Sequence, residues 1–179
     1  MIIIDYYVHG TSTENEAGVS SGWSDCELSE RGISETKKAA AEITGKNFDL
    51  VYCSDLRRAK QSAEILFGSR NLNIIHDKRL RECNYGIYNG RPHENLSYLD
   101  FITTRYPEGE SLIDVQNRIE DLLNELKQKY KNKRIAFVSH RAPQLALNVI
   151  LNKMTWEDAI NRDWRTIGKW QAGWEFRAE

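Results

Sequence analysis

Arg134-Ile135-Ala136-Phe137-Val138-Ser139-His140-Arg141 is the stretch from which the fold can be read. Its apolar run is almost unbroken and lacks the alternation of a strand with one wet face, so both faces must be covered. The flanking sequence supplies the cover. Before it, residues 110–131 repeat Leu112, Val115, Ile119, Leu122, Leu123 and Leu126 at three- and four-residue spacing, the period of an amphipathic helix. After it, a helix is expected from about Pro143 to Leu151.

Working outward, residues 2–8 form a first strand, and residues 29–44 a helix with Ser29 as N-cap. Residues 48–53 read as a short strand running into Ser54-Asp55, a capping pair for the helix that opens at Leu56-Arg57-Arg58. Leu72 to His76 has the length of another strand. The tail alternates weakly over 164–170 and 174–177 and is expected to add one or two edge strands. Strand–helix alternation of this kind predicts an α/β three-layer sandwich with a mostly parallel central sheet. With three prolines and no linker, repeat or low-complexity tract, residues 1–179 read as one domain.

The 25 basic and 26 acidic side chains leave a formal net charge of -1. Such a balance argues against nucleic acid or an anionic membrane as partner, while leaving room for a local basic pocket. Cys26, Cys53 and Cys83 are odd in number and far apart, as expected of reduced thiols in a cytoplasmic protein. No C-x-x-C or H-x-x-x-H spacing suggests a metal site. The first apolar run lacks a basic segment before it and is broken by Asp5 and His9. It is read as a strand rather than a signal peptide, and nothing approaches the ~20 apolar residues of a membrane span.

In parallel sheets, ligands bind at the carboxyl ends of the strands. Three polar signals fall there: His9-Gly10, Ser54-Asp55 with Arg58, and Ser139-His140-Arg141. Gly10 would let the chain turn and present amides to an anion, and Asn15 adds a side-chain amide. Arg58 at a helix start would clamp a phosphate in bidentate fashion. His140, at the end of a buried strand, needs a partner of its own.

In order, the segments 8–15 (VHGTSTEN), 22–32 (GWSDCELSERG), 54–66 (SDLRRAKQSAEIL), 79–90 (RLRECNYGIYNG), 107–111 (PEGES) and 138–140 (VSH) resemble the histidine phosphatase superfamily, in its phosphoglycerate-mutase-like branch. The resemblance runs from residue 2 to about residue 150. It implies that His9 is a nucleophile forming a phosphohistidine, and that Arg58 and His140 bind the phosphoryl group. It further implies that Glu82 protonates the leaving oxygen and then activates water. Asn15, Ser21 and Gly22 fall on positions that line the phosphate site. Arg and His supply the positive charge, so neither metal nor cofactor is implied.

One position departs from the family pattern, where the nucleophilic His follows an Arg; here Val8 precedes His9. Either the cation is relocated, with Arg141 the candidate, or the protein is a weakened phosphate-binding or regulatory module. Between Glu82 and Gly109 the cap, about residues 83–106, carries only Arg91 and Arg105 as arginines. So lightly charged a cap favours hydrolysis of a small phosphomonoester over mutase transfer. Tyr85, Tyr88, His93, Tyr98 and Phe101 of the cap are candidates for substrate contact. A nucleotide-binding domain without covalent chemistry would need a Gly-rich phosphate loop of G-x-G-x-x-G or P-loop type, and neither occurs.

Overall fold

The computed structural model describes residues 1–92, 97–168 and 173–179. Its five-stranded sheet is built from β1 (Ile2–Val8), β3 (Leu50–Cys53), β4 (Ile74–His76), β6 (Arg134–Ser139) and β7 (Trp174–Ala178), in the order β4-β3-β6-β1-β7. The first four run parallel; β7 pairs antiparallel with β1 at the edge. A two-residue ribbon, β2 (Val19–Ser20) with β5 (Arg91–Pro92), stands apart.

Strand alternation distributes the side chains between two layers. Ile2, Ile4 and Tyr6 of β1 and Ile135 and Phe137 of β6 join the core under α4 (Leu112–Lys129), α5 (Arg141–Asn152) and α6 (Trp156–Asn161). Tyr7, Val51, Cys53, Ala136 and Val138 face α2 (Glu30–Glu42) and α3 (Arg57–Phe67) on the other side. The strand of the opening motif is thus covered on both faces by helices, as its composition required.

Ser29 caps α2, its hydroxyl accepting from the Gly32 amide, and Ser111 forms a capping box with Asp114 at the start of α4. Three local expectations are corrected. Helix α5 begins at Arg141 rather than Pro143, because Pro is tolerated in a first turn where its missing N–H has no acceptor to lose. Ser54-Asp55 is not a capping pair. Ser54 Oγ accepts from the Leu56 amide at 3.3 Å and Asp25 takes the Arg57 amide at 2.8 Å, whereas Asp55 binds Arg81 through both carboxylate oxygens. The segment Trp164–Ile167 is a short helix, α7, capped by Asp163, and not an edge strand; the rest of that expected strand, residues 169–170, lies outside the described residues. No helix among the described residues is long and apolar enough to cross a membrane.

Candidate active site

The ends of β1, β6 and β3 lie side by side, and each delivers one polar group. Val8 is in register with Ser139, the His9 amide donates to the Ser139 carbonyl at 3.0 Å, and the Ser54 amide donates to the Val138 carbonyl at 3.0 Å. Parallel pairing therefore brings His9, His140 and Ser54 together from positions far apart in the chain. The two imidazoles meet edge to face, centroids 4.9 Å apart.

His9 Nδ1–H donates to the Gly10 carbonyl at 2.7 Å, which leaves the Nε2 lone pair to accept from Arg58 Nε at 3.3 Å. Burial and the Arg58 charge push the His9 pKa down to about 3, so the ring is neutral at physiological pH. The Arg58 side chain is itself fully buried. Its two remaining nitrogens donate to the carbonyls of Ser24 (2.8 Å) and Gly22 (2.7 Å), which fixes the guanidinium against His9.

His140 is buried, and its Nε2 pairs with Ser54 Oγ at 2.8 Å. Burial and then Arg58 hold its pKa well below the usual imidazole range. The Tyr6 hydroxyl donates to the His140 carbonyl (2.6 Å) and accepts from its amide (3.1 Å), locking the backbone at this turn. His140 Nδ1 and the indole Nε1 of Trp164 are buried with no hydrogen-bond partner among the described residues.

The Glu82 carboxylate meets the start of α5. Oε1 accepts from the amides of Cys83 (2.8 Å) and Ala142 (2.9 Å) and lies 3.4 Å from the Tyr98 hydroxyl; among the described residues, Oε2 accepts only from the Arg141 amide, at 3.1 Å. Its main chain is braced as well. The Glu82 carbonyl accepts from Trp23 Nε1 (2.7 Å) and Arg118 Nη2 (3.0 Å). Arg81, bound to Asp55, lies over the Trp23 ring with its guanidinium carbon 4.8 Å from the centroid.

A cavity of about 630 Å³ is lined by His9, Gly10, Asn15, Ser21, Gly22, Arg58, Glu82 and Arg141, together with Val8, Tyr85, Tyr98, Trp164 and Arg165. Of the catalytic and phosphate-site candidates from the sequence, all are on this wall except His140, whose ring meets that of His9. Two glycines have roles other than amide display. The Gly10 amide already donates to Ser62 Oγ at 3.1 Å, and a Cβ there would collide with Thr36 Oγ1 and the Gly32 carbonyl: close approach of α2, not exposed amides, requires glycine. Gly22 has φ +51, and a Cβ on it would strike Asn89 Oδ1. Asn15 belongs to the capping box of α1 (Thr13–Glu16), its Oδ1 accepting from the Ser12 amide at 3.1 Å.

Of the cap aromatics, Tyr85 and Tyr98 reach the cavity, their hydroxyls 2.7 Å apart. Phe101 stacks on Tyr106 with centroids 3.7 Å apart, and Tyr88 packs against the same ring. His93 lies outside the described residues. Arg165, which no sequence motif marked, enters the wall from α7; its only signal was Asp163, a helix-capping residue set before it.

The sequence matches the model of the histidine phosphatase superfamily (branch 1) over residues 8–168. The chain belongs to that superfamily. It is 30% identical over 155 residues to phosphoserine phosphatase 1 of Hydrogenobacter thermophilus, covering 78% of this chain and 71% of that protein. Among solved structures, the alpha-ribazole phosphatase from Shigella flexneri superimposes with a TM-score of 0.80 at 25% identity, over 89% of this chain and 84% of that one. A mycobacterial glucosyl-3-phosphoglycerate phosphatase in complex with VO3 superimposes with a TM-score of 0.78 at 28% identity, over 88% and 85%.

Proposed function

We propose that this histidine phosphatase hydrolyses a small phosphomonoester through a phosphohistidine at His9. The observation that carries the reading is the state of His9. Its Nδ1 proton is fixed on the Gly10 carbonyl, so the unprotonated Nε2 faces the cavity beside a buried arginine. A neutral imidazole held in one tautomer is a nucleophile without prior proton loss.

In the first step Nε2 attacks phosphorus, the P–O ester bond breaks, and Glu82 delivers a proton to the leaving oxygen. Oε2, with a single amide partner against three contacts at Oε1, has the capacity for that transfer. In the second step Glu82 takes a proton from water as its oxygen attacks phosphorus, and cleavage of the P–N bond returns neutral His9. Arg58 and the unpartnered Nδ1 of His140 would hold the equatorial oxygens, with Asn15, Ser21 and Gly22 lining the site around them. Arg141, stacked over Tyr98 with its guanidinium carbon 4.7 Å from the ring centroid, adds positive charge at the wall.

Water, rather than a second hydroxyl, is the favoured acceptor. Of the two cap arginines, Arg105 is tied to Asp114 at 2.8 Å and Arg91 is exposed on β5, so neither closes a basic lid over the intermediate. The test is incubation with a radiolabelled aryl phosphate followed by quenching in base, where phosphohistidine survives, and then in acid. Acid-labile label on the wild type and none on His9→Ala is the expected result. Turnover undiminished in His9→Ala would remove the mechanism.

A further inference from the structure

Alternation along β1 places Ile2, Ile4 and Tyr6 in the layer of α4 to α6, and Val8 packs against that same core while lining the cavity. A side chain at position 8 therefore projects toward the α5 side of the sheet. From that side the chain brings two guanidiniums, those of Arg141 at the start of α5 and Arg165 in α7. Asp163, its side chain fully buried, binds both: Arg141 Nε at 2.5 Å through Oδ2, and Arg165 Nη1 at 3.2 Å through Oδ1. Two guanidiniums on one carboxylate leave a net positive charge facing the cavity.

The two are not equivalent. Arg141 lies over Tyr98, which touches Glu82, so its charge belongs to the leaving-group end. Arg165 lies over the Trp164 ring, guanidinium carbon 4.4 Å from the centroid, and its charge adds to burial and Arg58 in disfavouring protonation of His9. Among the described residues, Nε and Nη2 of Arg165 make no hydrogen bond, so two N–H faces remain for an anion.

We infer that Arg165 is a phosphate-binding cation of this site, serving the reacting group on the face where Val8 is apolar, with Asp163 as the residue that positions its guanidinium. The inference rests on the phosphatase reading above, but its test need not. A guanidinium held by one carboxylate oxygen, with two further nitrogens left to meet charge developing on equatorial phosphoryl oxygens, is a transition-state donor, and losing one such donor costs on the order of 10²–10³ in rate. Because α7 follows the last core helix, this cation arrives from a part of the chain remote from the His9 motif.

The experiment compares wild type with Arg165→Gln, Arg165→Lys, Asp163→Asn, and Val8→Arg combined with each of the first and third. Orthovanadate affinity is measured by titration and hydrolysis of p-nitrophenyl phosphate by kcat and KM, with thermal melting as the folding control. Arg165→Gln should weaken vanadate binding and lower kcat/KM each by about 10²-fold, with Arg165→Lys recovering part of both. Asp163→Asn should act in the same direction, and Val8→Arg should restore at least tenfold in both backgrounds, which mere structural repair could not do. Wild-type vanadate affinity in folded Arg165→Gln overturns the inference. So does a loss confined to carboxylated substrates such as phosphoserine, which would place Arg165 on the far end of the substrate. Should wild type hydrolyse no ester, the phosphatase reading fails, and the vanadate comparison still decides the role of Arg165.

Discussion

Arg58 Nε stands 3.3 Å from His9 Nε2, a cation bonded to the lone pair that the proposed reaction uses. The contact does two things at once. It adds to burial in holding the imidazole neutral, since a second positive charge so close is disfavoured, and it places a donor where a phosphoryl oxygen would bind once the ring attacks. The guanidinium cannot swing away, because the Ser24 and Gly22 carbonyls hold its other nitrogens. Shortening it to Lys would break this fork: Arg58→Lys is expected to lose about 10²-fold or more in kcat/KM despite keeping the charge, read from steady-state kinetics on an aryl phosphate.

Removing the proposed proton carrier should affect chemistry more than binding. For Glu82→Gln we expect kcat to fall by about 10²–10⁴ with vanadate affinity changed far less. Substrates with acidic leaving groups should suffer least, because they depart without a proton. A loss independent of leaving-group pKa would argue against the role of Glu82 as acid.

The clamp Asp55–Arg81–Trp23 predicts a remote effect on the same residue. Arg81 donates to Asp55 at 2.7 and 2.6 Å, and Trp23 donates to the Glu82 carbonyl. Asp55→Asn should lower kcat by about tenfold with KM little changed, since a small displacement of a catalytic group is costly. Equal kcat in variant and wild type would show that the loop is held by Arg118 alone.

Stability should depend on pH through the buried histidines. His9 has its pKa pushed down to about 3 and His140 is also lowered, whereas in the unfolded chain both titrate near 6.5. Between those values the unfolded chain binds more protons than the native one, so stability rises with pH and falls as pH drops from about 6.5 toward 3. Melting temperatures at pH 7.5 and pH 5 should therefore differ by more in wild type than in a His9→Asn variant.

Close packing at Gly10 gives a fifth expectation. A methyl group there meets the Gly32 carbonyl and Thr36 Oγ1, atoms of α2 that cannot retreat without moving the helix. Gly10→Ala should destabilise the protein by about 1–3 kcal/mol by denaturant titration and shift His9 with it. An unchanged unfolding midpoint would mean that α2 yields freely.

The sequence alone determined the layered sheet, because the composition of residues 134–139 and the spacing from Leu112 to Leu126 are properties of neighbours along the chain. It also marked His9, Arg58 and His140 at strand ends, and Glu82 through the ordered family motif around it. Only the tertiary structure decided how those groups are arranged and which distant residues surround them. Asp55 looked like a cap in sequence, yet its partner Arg81 comes from a different loop. Gly10 looked like a turn glycine, yet its constraint is imposed by α2. Arg165 stood outside every motif, yet Asp163 and the packing of α7 carry it into the same cavity as His9. Local periodicity and capping act within a few residues and are legible from them. Charge placement depends on which distant segments share a wall, and only the folded chain brings those segments together.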